Sequence, residues 1–92
     1  MKFYEKLGAS IIGNKDSAGS SIDLSRDGMV VAVGSYVSKS GARVLEWDGS
    51  AWVQRGLNSL ATNEVGNTVA LSRDGSTWAV GIDGSALVYD WK

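Results

Sequence analysis

Two arginines hold equivalent positions in this sequence, and they are its first candidates for binding chemistry. Arg26 and Arg73 each stand in a run Leu-Ser-Arg-Asp-Gly. Because an Asp-Gly pair favours a tight hairpin turn, both arginines are predicted at hairpin tips. If those tips surround a common channel, their planar guanidinium groups could hold an anion there. The alternative is that they are solvated turn residues beside Asp27 and Asp74.

Oxygen-bearing side chains in predicted loops are the candidates for a metal site. Asn14 lies close to Asp16, and Asn63 precedes Glu64. Calcium takes six or more oxygen ligands, usually from closely spaced acids, and the spacing here is too sparse for that. The sequence contains no histidine and no cysteine, which removes the usual zinc ligands and thiol nucleophiles. We therefore predict no metal, no cofactor and no catalytic residues.

Composition narrows the function classes further. The chain has 92 residues and a formal net charge of −1, and neither sign of charge forms a run, so no nucleic-acid or membrane partner is expected. No apolar stretch approaches the roughly 20 residues of a membrane span, and the N-terminus lacks the apolar core of a signal peptide. At this length a single core supports a fold only marginally. Without disulfides or metal, association between chains is the remaining source of stability.

An internal repeat of about 47 residues organises the chain. Residues 19–34 read GSSIDLSRDGMVVAVG, and residues 66–81 read GNTVALSRDGSTWAVG. Further along, ARVLEW at 42–47 aligns with ALVYDW at 86–91, and YEKLG at 4–8 aligns with WVQRG at 52–56. The chain thus opens with the last segment of one unit and ends where the next such segment would be due.

Each unit is predicted to form short β-strands. The predicted strands are Ser21–Ser25, Val30–Gly34, Arg43–Trp47 and Trp52–Arg55 in the first copy, and Thr68–Ser72, Thr77–Gly81 and Leu87–Trp91 in the second. Second strands that are apolar on both faces need cover on both sides, as in stacked sheets. Four-stranded units with a period of about 40 to 50 residues are the signature of β-propeller blades. We predict an all-β fold with two blades per chain.

The predicted blades account for the tryptophans. Aromatic faces beside polar groups can stack on sugars. However, Trp47, Trp78 and Trp91 fall at strand positions that suit packing between blades, and Trp52 aligns with Tyr4. We therefore expect them to belong to the core.

The pattern G-x-x-V-x-L-S-x-D-G-x-x-x-A-V-G, followed by V-x-E-W-D-G-x-x-W-V-Q-x-G, resembles propeller-like repeat proteins loosely related to WD and FG-GAP repeats. The resemblance covers residues 4–91 and implies a closed ring of blades. Arrays in such proteins are usually long enough to close by themselves. Two copies therefore suggest a fragment, an engineered chain or a natural minimal unit.

One hairpin carries a second resemblance. Residues 47–52, WDGSAW, are similar to the W-D-G-x-x-W hairpin of small fucose-binding lectins, two-blade chains that assemble into six-bladed trimers. This resemblance implies sugar sites in grooves between blades. The paired Arg and Glu that such lectins use do not align with this sequence.

The whole chain, 1–92, is thus predicted to be one two-blade unit that closes into a ring by self-association. Residues 19–56 form blade 1, 66–92 supply three strands of blade 2, and 1–8 supply the outer strand that completes the blade of a neighbour. The predicted oligomer interface consists of Phe3, Tyr4, Glu5, Lys6, Leu87, Val88, Tyr89 and Trp91. An eight-bladed homotetramer is preferred over a six-bladed homotrimer. The expected function is a structural or binding scaffold, with carbohydrate binding as the alternative.

Overall fold

Seven β-strands make up the computed structural model of the chain, which describes residues 2–11, 18–35, 42–56, 68–82 and 84–92. The strands are β1 (Ala18–Leu24), β2 (Val30–Ser35), β3 (Arg43–Trp47), β4 (Trp52–Gln54), β5 (Thr68–Leu71), β6 (Thr77–Ile82) and β7 (Ser85–Asp90). They form two antiparallel sheets, the first in the order β1-β2-β3-β4 and the second in the order β5-β6-β7. The described residues contain no helix, which confirms the all-β prediction, and hence none that could cross a membrane.

The seven strands expected within the two repeats are all present, with ends shifted by at most three residues. The largest shift is at the start of β1, which begins at Ala18 rather than Ser21. Pairing with β2 is irregular there, because Ala18 lies opposite Ser35 and Ser21 opposite Gly34. The outer strand expected at Phe3–Lys6 requires a neighbouring chain, and in the single chain this segment belongs to neither sheet.

The shared run Leu-Ser-Arg-Asp-Gly forms the same turn in both sheets. In the second sheet, the Asp74 carboxylate accepts hydrogen bonds from the Ser72 hydroxyl at 2.8 Å and from the Ser76 amide at 3.0 Å. These bonds favour the ionised form, so they lower the pKa of Asp74 to about 2, and the Ser76 amide contributes most. Gly75 completes the turn at a φ of 76°, where a side chain would be strained. The first turn repeats these contacts around Asp27.

Both sheets pair their strands in the same register. Ala32 lies opposite Val44 in the first sheet, and Ala79 lies opposite Val88 in the second. The segments at 42–47 and 86–91 are therefore structural equivalents, as the sequence alignment predicted. Equivalent positions in the two sheets can be compared one by one.

The two sheets stack through opposite faces. We call the front face the one that carries Val33 in the first sheet and Val80 in the second, and the opposite one the back face. The back face of the first sheet packs on the front face of the second and forms the main core. The buried members of this core are Val30, Ala32, Ala42, Val44, Val69 and Val80, with Leu71, Trp78, Leu87 and Tyr89 packed against them. A smaller core on the front face of the first sheet consists of Val31, Val33 and Leu45, with Ile11 and Trp52.

Candidate binding groove and docking faces

A groove of about 260 Å³ opens between the two sheets. Its wall in the second sheet is aromatic, because Trp78 and Tyr89 stack with their ring centroids 5.7 Å apart and Trp91 follows them. Trp78 packs against the core as expected, whereas Trp91 is half exposed at the rim. The other lining residues are Val44, Arg55, Gly56, Gly75, Ser76 and Asp90. The groove thus combines an aromatic wall with charged groups.

Arg55 connects the two sheets across this groove. Its Nη1 donates a hydrogen bond to the Gly75 carbonyl at 2.7 Å, and its Nε lies 3.4 Å from Oε1 of Glu46. The guanidinium also lies over the Trp91 ring, 5.3 Å from the centroid, within the range of a cation–π contact. Only 13% of the Arg55 side chain is exposed, so its hydrogen bond to Gly75 is weakly screened by water and salt. The Glu46 side chain is 45% exposed, so the ion pair is screened more.

Sequence reasoning identified neither Arg55 nor its pairing with Glu46. A usable signal was the hairpin register, in which Glu46 lies opposite Val53 and Arg55 follows two residues later on the same face. The aligned segment carries Leu7 at the position of Arg55. Because the arginine occurs in one copy only, comparison of the repeats did not draw attention to it.

Side chains of β1 accept hydrogen bonds from backbone amides of β5. The Leu71 amide donates to Oδ2 of Asp23 at 2.6 Å, and the Val69 amide donates to the Ser21 hydroxyl at 3.1 Å. The other carboxylate oxygen of Asp23 accepts a hydrogen bond from the Leu24 amide at 2.9 Å. A buried backbone amide without an acceptor is costly, so these bonds stabilise the packing of β1 on β5. The alignment of Asp23 with Ala70 gave no sign of this role.

The two arginine-bearing turns lie side by side. The Arg26 amide donates to the Arg73 carbonyl at 2.8 Å, and both side chains are exposed. The two hairpin tips are therefore neighbours within the single chain. An anion site formed by their guanidinium groups in a ring stays a prediction.

The metal candidates lie elsewhere in the chain. Asn14, Asp16, Asn63 and Glu64 fall outside the described residues. Among the residues that are described, no three acidic side chains come together as metal ligands would.

Each sheet leaves one face partly uncovered. On the front face of the first sheet, Ile22 is 66% exposed, whereas its equivalent in the second sheet, Val69, is 6% exposed. On the back face of the second sheet, Val88 is 68% exposed, whereas its equivalent Val44 is 5% exposed. The chain therefore shows a contact between a front and a back face once. It leaves β1 partly exposed on the remaining front face and β7 partly exposed on the remaining back face.

The N-terminal segment lies beside the first sheet. The Trp52 indole nitrogen donates to the Leu7 carbonyl at 3.0 Å. Gly8 lies against Trp47, so that a Cβ built on Gly8 would be 2.6 Å from the indole ring. Gly56 approaches Trp91 in the same manner, at 3.5 Å. These glycines and these tryptophans are repeat equivalents, so residues 7–8 contact the first sheet as the end of β4 contacts the second.

The residues of the predicted oligomer interface are exposed, apart from Leu87 and Tyr89, which are half-buried against the core. Among the residues that the structure describes, β7 pairs with β6 alone. Exposure along β7 alternates, with Val88 exposed and its neighbours half-buried. The outer edge of β7 is therefore available to a further strand.

Comparison of the chain with protein-family models, with curated proteins and with solved structures finds no match. Its function is therefore inferred from its own residues and their geometry.

Proposed function

We propose that this chain is a self-assembly module whose copies stack head to tail into a closed β-propeller ring, each sheet being one blade. The ring is a structural or binding scaffold without catalysis. The difference in burial between Val44 and Val88 is the observation that supports this most directly. Within the chain, the second sheet covers Val44 with its front face. The front face of a second copy would cover Val88 in the same way.

The opposite end of the chain offers the complementary surface. Ile22 and Leu24 on β1 are exposed, although their equivalents Val69 and Leu71 pack against the first sheet. A back face placed over β1 would bury them. Because the two uncovered faces differ, the contact between copies is head to tail, and such contacts close into a ring when the rotation allows.

The free energy available from this contact is large. The exposed side chains that this contact would cover are Ile22, Leu24 and Val88. Each exposes on the order of 100 Å² of apolar surface, so its burial would return about 2.5 kcal/mol before the costs of association. A typical domain is stable by only about 5 to 15 kcal/mol. A folded chain with both faces open should therefore be scarce at micromolar concentration.

Two blades per chain permit only even-numbered rings. Propellers commonly have about 4 to 8 blades, so a trimer with six blades and a tetramer with eight both fit. We propose the homotetramer first, because bulky Trp47, Trp78 and Trp91 favour a small angle between neighbouring blades, and the homotrimer second.

Native mass spectrometry tests this proposal. The expected mass is four times the 9.7 kDa of one chain. A mass of three chains would replace the eight-bladed ring by the six-bladed one. A stable monomer or dimer at micromolar concentration would overturn the ring itself.

The groove supports carbohydrate binding as a second candidate function. Aromatic rings such as Trp91 can stack on the apolar face of a sugar, while the Arg55 guanidinium offers a donor for hydroxyl groups. The Nε of Arg55 lies 3.4 Å from Oε1 of Glu46. The groove's 260 Å³ lies just below the range of ligand pockets, which begins at about 300 Å³, and this suits one sugar ring rather than a long chain.

A glycan array, read with two matched variants, tests the second function. Arg55→Leu installs the residue that the repeat has at the equivalent position and should abolish binding. Arg26→Leu removes an exposed arginine away from the groove and should leave binding intact. Urea denaturation of both variants checks that they fold. An array without any signal for the unsubstituted chain would contradict carbohydrate binding.

A further inference from the structure

We propose that the open edge of β7 is a peptide-binding site for residues 4–8 of a second copy, and that the two segments pair in one fixed register. In this register Tyr4 lies opposite Trp91, Lys6 opposite Tyr89 and Leu7 opposite Val88. The inference rests on the assembly proposed above, and it adds which residues meet at the junction between copies.

The register follows from the complete sheet. In the first sheet, Trp47 lies opposite Trp52 and Leu45 opposite Gln54. The Arg55 amide continues this pairing by donating to the Val44 carbonyl at 2.8 Å. β3 pairs with β2 in the same register in which β7 pairs with β6, so each residue of β3 has an equivalent in β7. Because 4–8 aligns with 52–56, each residue of β4 likewise has an equivalent in the N-terminal segment.

The transferred pairs are chemically compatible at two positions. Leu7 would cover Val88, the most exposed large apolar side chain of β7. Tyr4 would meet Trp91 as Trp52 meets Trp47, whose rings make an edge-on contact at 5.5 Å. Aromatic and apolar pairs of this kind stabilise neighbouring strands.

The same register also brings together one unfavourable pair. Glu5 would lie opposite Asp90, and like charges opposite one another weaken a sheet. In the first sheet, the equivalent of Asp90 is Glu46, which faces uncharged Val53 and has Arg55 beside it. In the single chain, Nζ of Lys92 lies 3.9 Å from Oδ2 of Asp90 and offers a positive charge beside the pair.

The donor segment is already oriented by its own chain. The Leu7 carbonyl is held by the Trp52 indole, and Gly8 is held against Trp47. A partner that binds residues 4–7 through β7 is therefore placed next to the front face of the donor's first sheet. Strand pairing and face stacking then occur at the same junction, so each reinforces the other.

Disulfide cross-linking tests the register, because the chain has no native cysteine. Residues opposite one another without mutual backbone hydrogen bonds come close enough for a disulfide. The test variant carries Tyr4→Cys and Trp91→Cys. The control carries Tyr4→Cys and Asp90→Cys, which lie one residue out of register, with their side chains on opposite faces. After mild oxidation, non-reducing gels should show most of the test variant as multi-chain species and the control as mainly single chains.

Two further preparations guard against a variant that does not fold. A 1:1 mixture of copies with only Tyr4→Cys and copies with only Trp91→Cys should give linked pairs of one copy of each kind. A second pair, Lys6→Cys with Tyr89→Cys, probes the same register at another position. Faster migration as an oxidised single chain would overturn the proposal, because the segment would then bind its own β7. If the control links as well as the test variant, the register is wrong.

Failure of the register and failure of the ring give different results. If the unsubstituted chain has the native mass of a ring but neither cysteine pair links, then assembly stands and this pairing is overturned. If the unsubstituted chain is a monomer by native mass, then the proposed function fails, and the pairing between copies fails with it.

Discussion

Replacement of Ile22 by alanine should weaken assembly and leave the free energy of unfolding of the isolated chain almost unchanged. Ile22 is 66% exposed in the single chain, and in the proposed ring it takes the environment of Val69, which is 6% exposed. That change buries about 100 Å² of apolar surface, and at about 25 cal/mol per Å² this corresponds to about 2.5 kcal/mol. Alanine retains only a small part of the side chain. We therefore expect each junction to lose about 2 kcal/mol, which is a roughly 30-fold weaker contact.

The folding of the isolated chain should hardly respond to this substitution. An exposed side chain away from special contacts contributes within about 0.5 kcal/mol to the free energy of unfolding. Val69→Ala provides the contrast, because it removes buried methyl groups from the core between the sheets and should lower the free energy of unfolding by about 2 kcal/mol. Sedimentation velocity over a dilution series measures the first effect, and urea denaturation of dissociated chains measures the second.

Val53→Ala is the matched control for assembly. Val53 is also exposed, but it lies on the back face of the first sheet, which the second sheet already covers within the chain. In the ring only the strand added to β7 can approach Val53, so the dilution midpoint should shift much less than with Ile22→Ala. The reasoning is refuted if Ile22→Ala dissociates at the same concentration as the unsubstituted chain, or if Val53→Ala weakens assembly as much as Ile22→Ala does.

Three further outcomes are expected. Deletion of residues 1–7 should abolish the defined oligomer, because β7 loses its partner strand, and an unchanged number of chains by native mass would contradict strand exchange. Gly75→Ala should lower the free energy of unfolding by about 1 to 3 kcal/mol more than Gly28→Ala. Both glycines have φ of 76°, but only a Cβ on Gly75 would lie 2.9 Å from Val30, so equal costs in urea denaturation would argue against this contact between the sheets. Acidification should destabilise the chain between about pH 4 and pH 2, because the pKa of Asp74 is lowered from 3.8 to about 2 in the folded state. A lowered folded-state pKa contributes stability above the unfolded value, and this contribution is lost as the pH falls. Circular dichroism against pH should show a smaller change for Asp74→Asn than for the unsubstituted chain.

The strands and turns could be predicted from sequence because their causes are local. In the run Leu-Ser-Arg-Asp-Gly, the aspartate accepts hydrogen bonds from residues two positions away, and the glycine takes a positive φ. These requirements appear directly as residue types at fixed spacing. The strand Arg43–Trp47 has its predicted ends for the same reason, since Asp48 follows it and accepts hydrogen bonds from the Ser50 and Ala51 amides.

The candidate groove could not be predicted in this way, because its contacts join distant parts of the chain. Arg55 reaches the Gly75 carbonyl, and Asp23 accepts a hydrogen bond from the Leu71 amide. Both side chains occur in one copy of the repeat only, so the repeat pattern does not mark them. Their partners are backbone groups, which every residue has and which therefore leave no trace in the residue types.

What the sequence determined by itself is the set of strands, their turns, the shared register of the two units and the need for cover on both faces of the second strands. A continuous apolar run such as 30–33 shows that both faces of a sheet are to be buried, but not by which surface. Only the tertiary structure decided that the back face of the first sheet covers the front face of the second. That choice depends on side-chain packing, on the Arg55 contacts and on the edge amides of β5, all of which exist only once the sheets are stacked. The same stacking left Ile22 and Val88 in solvent while it buried their equivalents, because one chain has only two sheets and therefore only one contact between them.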